Sequence, residues 1–129
     1  MVDFKIVEEW LDKAERDFQF AIRALDRGER FYELICFHFQ QAGEKYLKAY
    51  IVANELEFKK IHDLGELVQI CQRKNSDFKF LEKEAKFLTD FYLEPRYPEE
   101  IQQISYPKSI ANKAQKAAGK IQKFVKAIL

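Results

Sequence analysis

A chain of 129 residues with 22 Lys and Arg against 21 Asp and Glu carries a formal charge of +1, so its overall balance makes no case for nucleic acid or a membrane surface. Twelve Phe and six Tyr beside four Gly and three Pro describe one folded, mainly helical domain, 1–129, and exclude a disordered chain. No apolar run approaches the ~20 residues that span a bilayer, and the N-terminus lacks the basic start of a secretory leader; no membrane association and a cytoplasmic setting are expected.

The charge is unevenly spread. From Ser105 onward six lysines stand without an acid, leaving sixteen cations against twenty-one acids, or −5, in the first 104 residues. Cys36 and Cys71 fall on apolar faces and are expected as buried thiols, not as a disulfide. There is no CxxC and no His/Cys cluster, so neither a metal nor a cofactor is expected.

In chain order, Val7, Leu11, Ala14, Phe18, Ala21 (with Ile22) and Leu25 recur by fours and threes. That spacing predicts a long amphipathic helix with a seam for a neighbour. Asp3 is placed to cap it, and Gly28 to end it in a left-handed conformation. The short connection to Phe31 predicts an antiparallel hairpin with the next helix.

That next helix, Phe31 to Asn54, organises the rest. Phe31, Ile35, Cys36, Phe39, Ala42, Tyr46, Leu47, Ala49, Tyr50 and Ala53 share one arc, wider than the ~100° stripe of a surface helix. The opposite face mixes Gln40, Gln41, Glu44, Lys45 and Lys48 with Leu34, Phe37, Ile51 and Val52. His38, Gln41, Lys45 and Lys48 line one edge of it.

After a charged connector, Asp63 and Glu66 have the spacing of an acidic capping box before a short helix, Leu64 to Arg73. Ser76 or Asp77 is expected to cap a fourth helix carrying Phe80, Leu81, Phe87, Leu88, Phe91 and Tyr92, stopped by Pro95. Glu94 to Tyr106 shows no period, and a connection of that length is often functional. Pro107 suits the first turn of a last helix. Its inward face is Ile110, Ala114, Ala117, Ile121, Phe124, Val125 and Ile128, with Lys113, Lys116, Lys120 and Lys123 on the other side. The fold class is all-α: an up-and-down four-helix bundle with one additional short helix, its core shared by four long helices.

The central CFHFQQAGEKYLKAYI, the downstream HDL and the RYP after the fourth helix resemble the HEPN family, named for higher eukaryotes and prokaryotes nucleotide-binding. The likeness in order and spacing covers almost the whole chain. It implies a helical bundle that forms a homodimer, a nucleotide or RNA ligand, and a small nucleotidyltransferase as a partner. The family also contains toxin-type ribonucleases whose signature is Arg, four to six residues, then His. Here seven residues separate Arg30 from His38, and no His follows Arg96. The signature is absent.

The residues leave several readings open. His38 is either a hydrogen-bonded core or interface histidine, or an acid/base near neutral pH. Lys45 and Lys48 either pair with Glu44, lie in solvent or meet a phosphate, and the lysine stripe of the last helix is either solvated or a phosphate strip. Arg96 suits a bidentate pair with a carboxylate or a phosphate. A nucleotide site is expected where the loop with Arg96 and Tyr97 folds over His38, Gln41, Lys45 and Lys48. Tyr97 offers a base a π-face and Gln41 an edge contact. The alternatives are a ribonuclease with a rearranged His/Arg site and a structural interaction dimer.

Overall fold

Residues 2–93 and 105–129 are described by the computed structural model, and every regular element among them is helical. The first helix, α1, runs Phe4–Asp26 because Asp3 accepts from the Lys5 amide at 2.9 Å and so satisfies one of the free donors at its start. It ends as the sequence predicts. Gly28 takes φ +78°, its amide bonds Leu25 O, and the Glu29 amide reaches back to Ala24 O at 3.0 Å. Those two bonds close a Schellman turn, which needs the left-handed residue that glycine supplies without strain.

The turn brings the chain back along α2, Tyr32–Ala53, which packs on α1 over their whole length. Helix α3 spans Leu64–Gln72, α4 spans Glu82–Thr89 and α5 spans Lys108–Ile128. Helix α2 touches each of the others, which is why its apolar arc is so wide. Phe31 is the exception in that arc. It sits at the N-cap of α2, 61% exposed, where it lines an open cleft facing α1. Gly43 marks the centre of the packing: a Cβ there would lie 3.0 Å from Leu64 Cδ2, 3.3 Å from Leu88 Cδ1 and 3.4 Å from Ile121 Cδ1.

Half of the expected capping box forms at α3. Asp63 accepts from the Glu66 amide at 3.1 Å, but the Glu66 carboxylate turns to Lys59 at 2.9 Å instead of reaching back. The fourth limb differs from the long helix predicted. Asn75, not Ser76 or Asp77, caps it, and Ser76–Leu81 winds as a 3-10 helix before α4 begins at Glu82. A threefold turn places Phe78 and Leu81 inward together, which leaves Phe80 facing out at 61% exposure. Thr89 then closes the limb: its hydroxyl donates to Ala85 O and accepts from the Leu64 amide. The helix thus stops well before Pro95, and three long helices share the core with one composite limb.

Pro107 stands one residue ahead of α5 as its N-cap, and the inner face of α5 is rich in alanine. Ala111, Ala114, Ala117 and Ala118 let it approach α2 closely, while Ile128 remains exposed at the frayed end. Ala114→Leu is expected to overpack that contact at a cost of about 1–3 kcal/mol, and Lys116→Leu on the exposed side to cost far less. Urea titrations of both variants measure the difference; equal losses would refute this placement of α5. Cys36 and Cys71 are buried free thiols, and burial pushes both up to about 12, which leaves them unreactive.

A polar brace ties α1, α2 and α5 together. Glu15 accepts from Tyr46 Oη, from Gln122 Nε2 at 2.7 Å and from Lys126 Nζ at 2.7 Å. Burial raises the Glu15 carboxyl, but these donors outweigh it and bring it down from 4.5 to about 2. A carboxyl depressed by folding stabilises the protein above its unfolded value and loses that contribution as pH falls. Stability is therefore expected to drop between about pH 4.5 and 2 with a slope that Glu15→Gln reduces, read from urea midpoints across that range.

Candidate functional site

The edge of α2 expected to bind a ligand divides into two clusters. His38 and Lys45 lie two turns apart on the same side of α2 and reach one carboxylate from α1. His38 Nδ1 donates to Asp17 Oδ1 at 2.9 Å, and Lys45 Nζ donates to Asp17 Oδ2. Asp17 is largely buried, which alone raises its carboxyl; the bonds from His38 and Lys45 more than reverse this and hold it below the ordinary carboxylate value. The imidazole also meets Phe20 and Phe37 edge-on, at centroid distances of 4.6 and 5.4 Å. With Nδ1 committed to Asp17 and the ring held by two aromatic edges, Nε2 is the nitrogen left for a ligand.

His38 forms one wall of a cleft of about 480 Å³ between the second half of α1 and the first half of α2. Arg23 and Arg27 line it from α1 and the following turn, and neither is in an ion pair among the described residues. Phe20, Phe31 and Leu34 surround its mouth, all strongly exposed, and Glu29 is its one acid among the described residues. Cations beside exposed aromatic rings and a fixed imidazole can receive a phosphate and stack a flat base.

The second cluster lies further along α2. Lys48 Nζ donates to Glu44 Oε2 at 2.8 Å, and both side chains are almost wholly buried, at 6% and 4% exposure. Glu44 Oε1 accepts from His62 Nδ1 at 2.9 Å and from Gln40 Nε2 at 3.3 Å. The Gln40 amide also donates to His62 O and accepts from Gln41 Nε2 at 2.8 Å. The His62 ring stacks on Tyr92 at 3.8 Å, while the Lys48 ammonium sits 5.8 Å from the centres of both Trp10 and Phe58.

Of the residues predicted for the site, the structure brings His38 and Lys45 together. It does not bring Lys48 to them, because Lys48 is enclosed by Glu44 and two aromatic rings. Gln41 is half-buried and bound to Gln40, and Arg96 and Tyr97 lie outside the described residues. The sequence reading missed Asp17, Arg23, Arg27 and His62 as a partner of Glu44, whereas the pairing of Lys48 with Glu44 was among the readings left open. Asp17 immediately precedes Phe18 at one border of the α1 seam, the one signal that it faces α2. Among the described residues no three His, Cys, Asp or Glu gather as metal ligands, and no helix is long and apolar enough to cross a membrane.

The comparisons with known proteins agree with one another. The crystal structure of TT1696 from Thermus thermophilus superposes with a TM-score of 0.81 at 28% identity, over 95% of this chain and 98% of that one. That of ST0689, described as an archaeal HEPN homologue, gives a TM-score of 0.71 at 30% identity, over 94% and 95% of the two chains. No curated protein matches. The model of the HEPN domain matches residues 7–128, nearly the whole chain, and with that span the chain belongs to the HEPN domain family.

Proposed function

We propose that the chain is a homodimeric module that binds a nucleotide or a short single-stranded RNA in the α1–α2 cleft and acts with a small nucleotidyltransferase partner. The observation that carries the ligand is the pairing of Arg23 and Arg27 with Phe20, Phe31 and the Asp17-held His38 around one cavity. The guanidinium groups meet phosphate, a ring stacks the base, and Nε2 of His38 bonds an edge or a sugar hydroxyl. The nucleotidyltransferase rests on the family alone. Titration calorimetry at low salt with AMP, GMP and a trinucleotide tests the site. The double variant Arg23→Ala, Arg27→Ala is expected to weaken binding at least about tenfold, since hydrogen bonds to charged groups contribute about 1.5–3 kcal/mol each. A wild-type protein that binds none of the three would refute the reading.

The homodimer rests on Phe31 and Leu34, which leave an apolar rim open to solvent, with Phe20 kept as the ring that stacks the base. Leu34→Glu is expected to give a monomer by light scattering at micromolar concentration. A wild type that is already monomeric there would remove the dimer from the proposal.

One observation favours a second reading, the ribonuclease. An imidazole whose Nδ1 is held by a carboxylate is arranged to move a proton at Nε2. His38→Ala separates the two: loss of all cleavage of a labelled RNA assigns an acid/base, whereas reduced affinity with no cleavage in the wild type assigns a binding role.

A further inference from the structure

The last helix carries a feature that the cleft does not use. Lys113, Lys116, Lys120 and Lys123 follow one another at spacings of three and four, so they stack along one side of α5 over about 15 Å. Like charges at these spacings repel, and no acid lies on α5 to relieve them. Lys120 is bound to Glu84 at 3.0 Å, and Lys113 covers the Phe87 ring at 4.5 Å. Lys116 and Lys123 have no acidic partner among the described residues. A groove runs on each side of this ridge. One, about 680 Å³, is lined by Lys116, Lys120 and Lys123 with the amides of Asn112, Gln115 and Gln122. The other, about 310 Å³, adds Lys83, Glu84 and Phe87 from α4.

The first groove is linked to the cleft side by a single hydrogen bond at Glu15, whose charge is paired with Lys126. Gln122 on its wall donates to Glu15, and Glu15 borders a shallow depression with Arg16 and Gln19 that ends on Phe20 and Arg23, which are also cleft residues. The depression follows α1 for about 12 Å.

We infer that the α5 ridge, joined to the cleft along the outer side of α1, is a track for the phosphate backbone of an RNA strand. This rests on the reading of the cleft as a nucleotide site and specifies its natural occupant: an end or internal nucleotide of a longer strand, not a free mononucleotide. The amide-lined groove offers lysines and carboxamides but no exposed ring, since Phe18 at its floor is buried. Contacts in this groove are therefore with phosphates and sugar hydroxyls, and they carry no sequence preference. Four lysines on a single strand predict a plot of log affinity against log salt with a slope near −3, about 0.7 for each phosphate neutralised.

The test is fluorescence anisotropy with labelled 3-mer and 12-mer oligo(A) and oligo(U), alongside calorimetry with AMP. The double variant Lys116→Glu, Lys123→Glu is compared with Lys13→Glu, Lys74→Glu, which makes the same charge change away from α5; thermal melts establish that both fold. The α5 variant is expected to weaken the 12-mer at least tenfold, to flatten its salt slope by about 1.4 and to leave AMP binding unchanged. The control variant should do neither, and the two 12-mers should bind within a few-fold of each other. Equal losses in both double variants, an unchanged slope, a strong base preference, or no binding of the wild type to the 12-mer would each overturn the track. If AMP fails to bind while the 12-mer still depends on Lys116 and Lys123, the cleft reading falls and the ridge stands alone as a backbone surface.

Discussion

Glu44→Ala is expected to destabilise the protein by about 3–5 kcal/mol, the range for removing one member of a buried ion pair. Lys48 stays behind with 6% of its side chain exposed, and its ammonium loses its one carboxylate partner among the described residues. The rings of Trp10 and Phe58 attract the charge, yet at 5.8 Å each they cannot accept its hydrogen bonds, and cation–π attraction amounts to roughly 0.5–2 kcal/mol. Gln40 and His62 lose an acceptor in the same step. Urea unfolding at neutral pH measures the cost. Replacing both charges, Glu44→Leu with Lys48→Met, is expected to recover most of it, because no unpaired ion then remains inside. A single-variant loss below about 1 kcal/mol would show that water reaches the ammonium, and that the pair contributes as little as an exposed one.

That cluster also shows where reading the chain alone reaches its limit. The Glu44–Lys48 pair is visible as an i, i+4 spacing on one helix, but its burial is not. It depends on Trp10 and Phe58, from before and after α2, closing over the ammonium. The α1 seam and the Gly28 turn were legible because each is decided by residues within a few positions. Phe80 and the length of the fourth limb were not. Asn75 starts a threefold turn, and Thr89, bonded to the Leu64 amide across the bundle, ends the helix early. In the site, His38 and Lys45 stood out as polar residues on a packed face. Their shared acceptor lies 21 and 28 residues upstream on another helix, where it reads as one more charge on an amphipathic pattern.

Asp17→Ala is the sharper test of that shared acceptor. It leaves a half-buried ammonium and an imidazole without the carboxylate that holds both, and hydrogen bonds lost to charged groups of this kind cost about 1.5–3 kcal/mol each. Asp17→Asn fills the same space and keeps one acceptor oxygen but no charge, so its loss should be smaller at neutral pH. The sign of the pH dependence follows from the carboxyl, which folding holds below its ordinary value of 3.8. Its contribution is complete above that value and fades as pH falls through the depressed folded value, so the gap between wild type and Asp17→Asn should narrow below about pH 4. Urea midpoints at neutral and acid pH report it. A gap that stays constant would mean that shape, not charge, is what Asp17 supplies. Binding gives the second readout: with His38 released in Asp17→Ala, affinity for AMP should fall, and fall less in Asp17→Asn, which keeps an acceptor oxygen, at a pH where the fold is intact. Unchanged affinity would detach the His38–Asp17 pair from the cleft and leave Arg23 and Arg27 as its sole polar anchors.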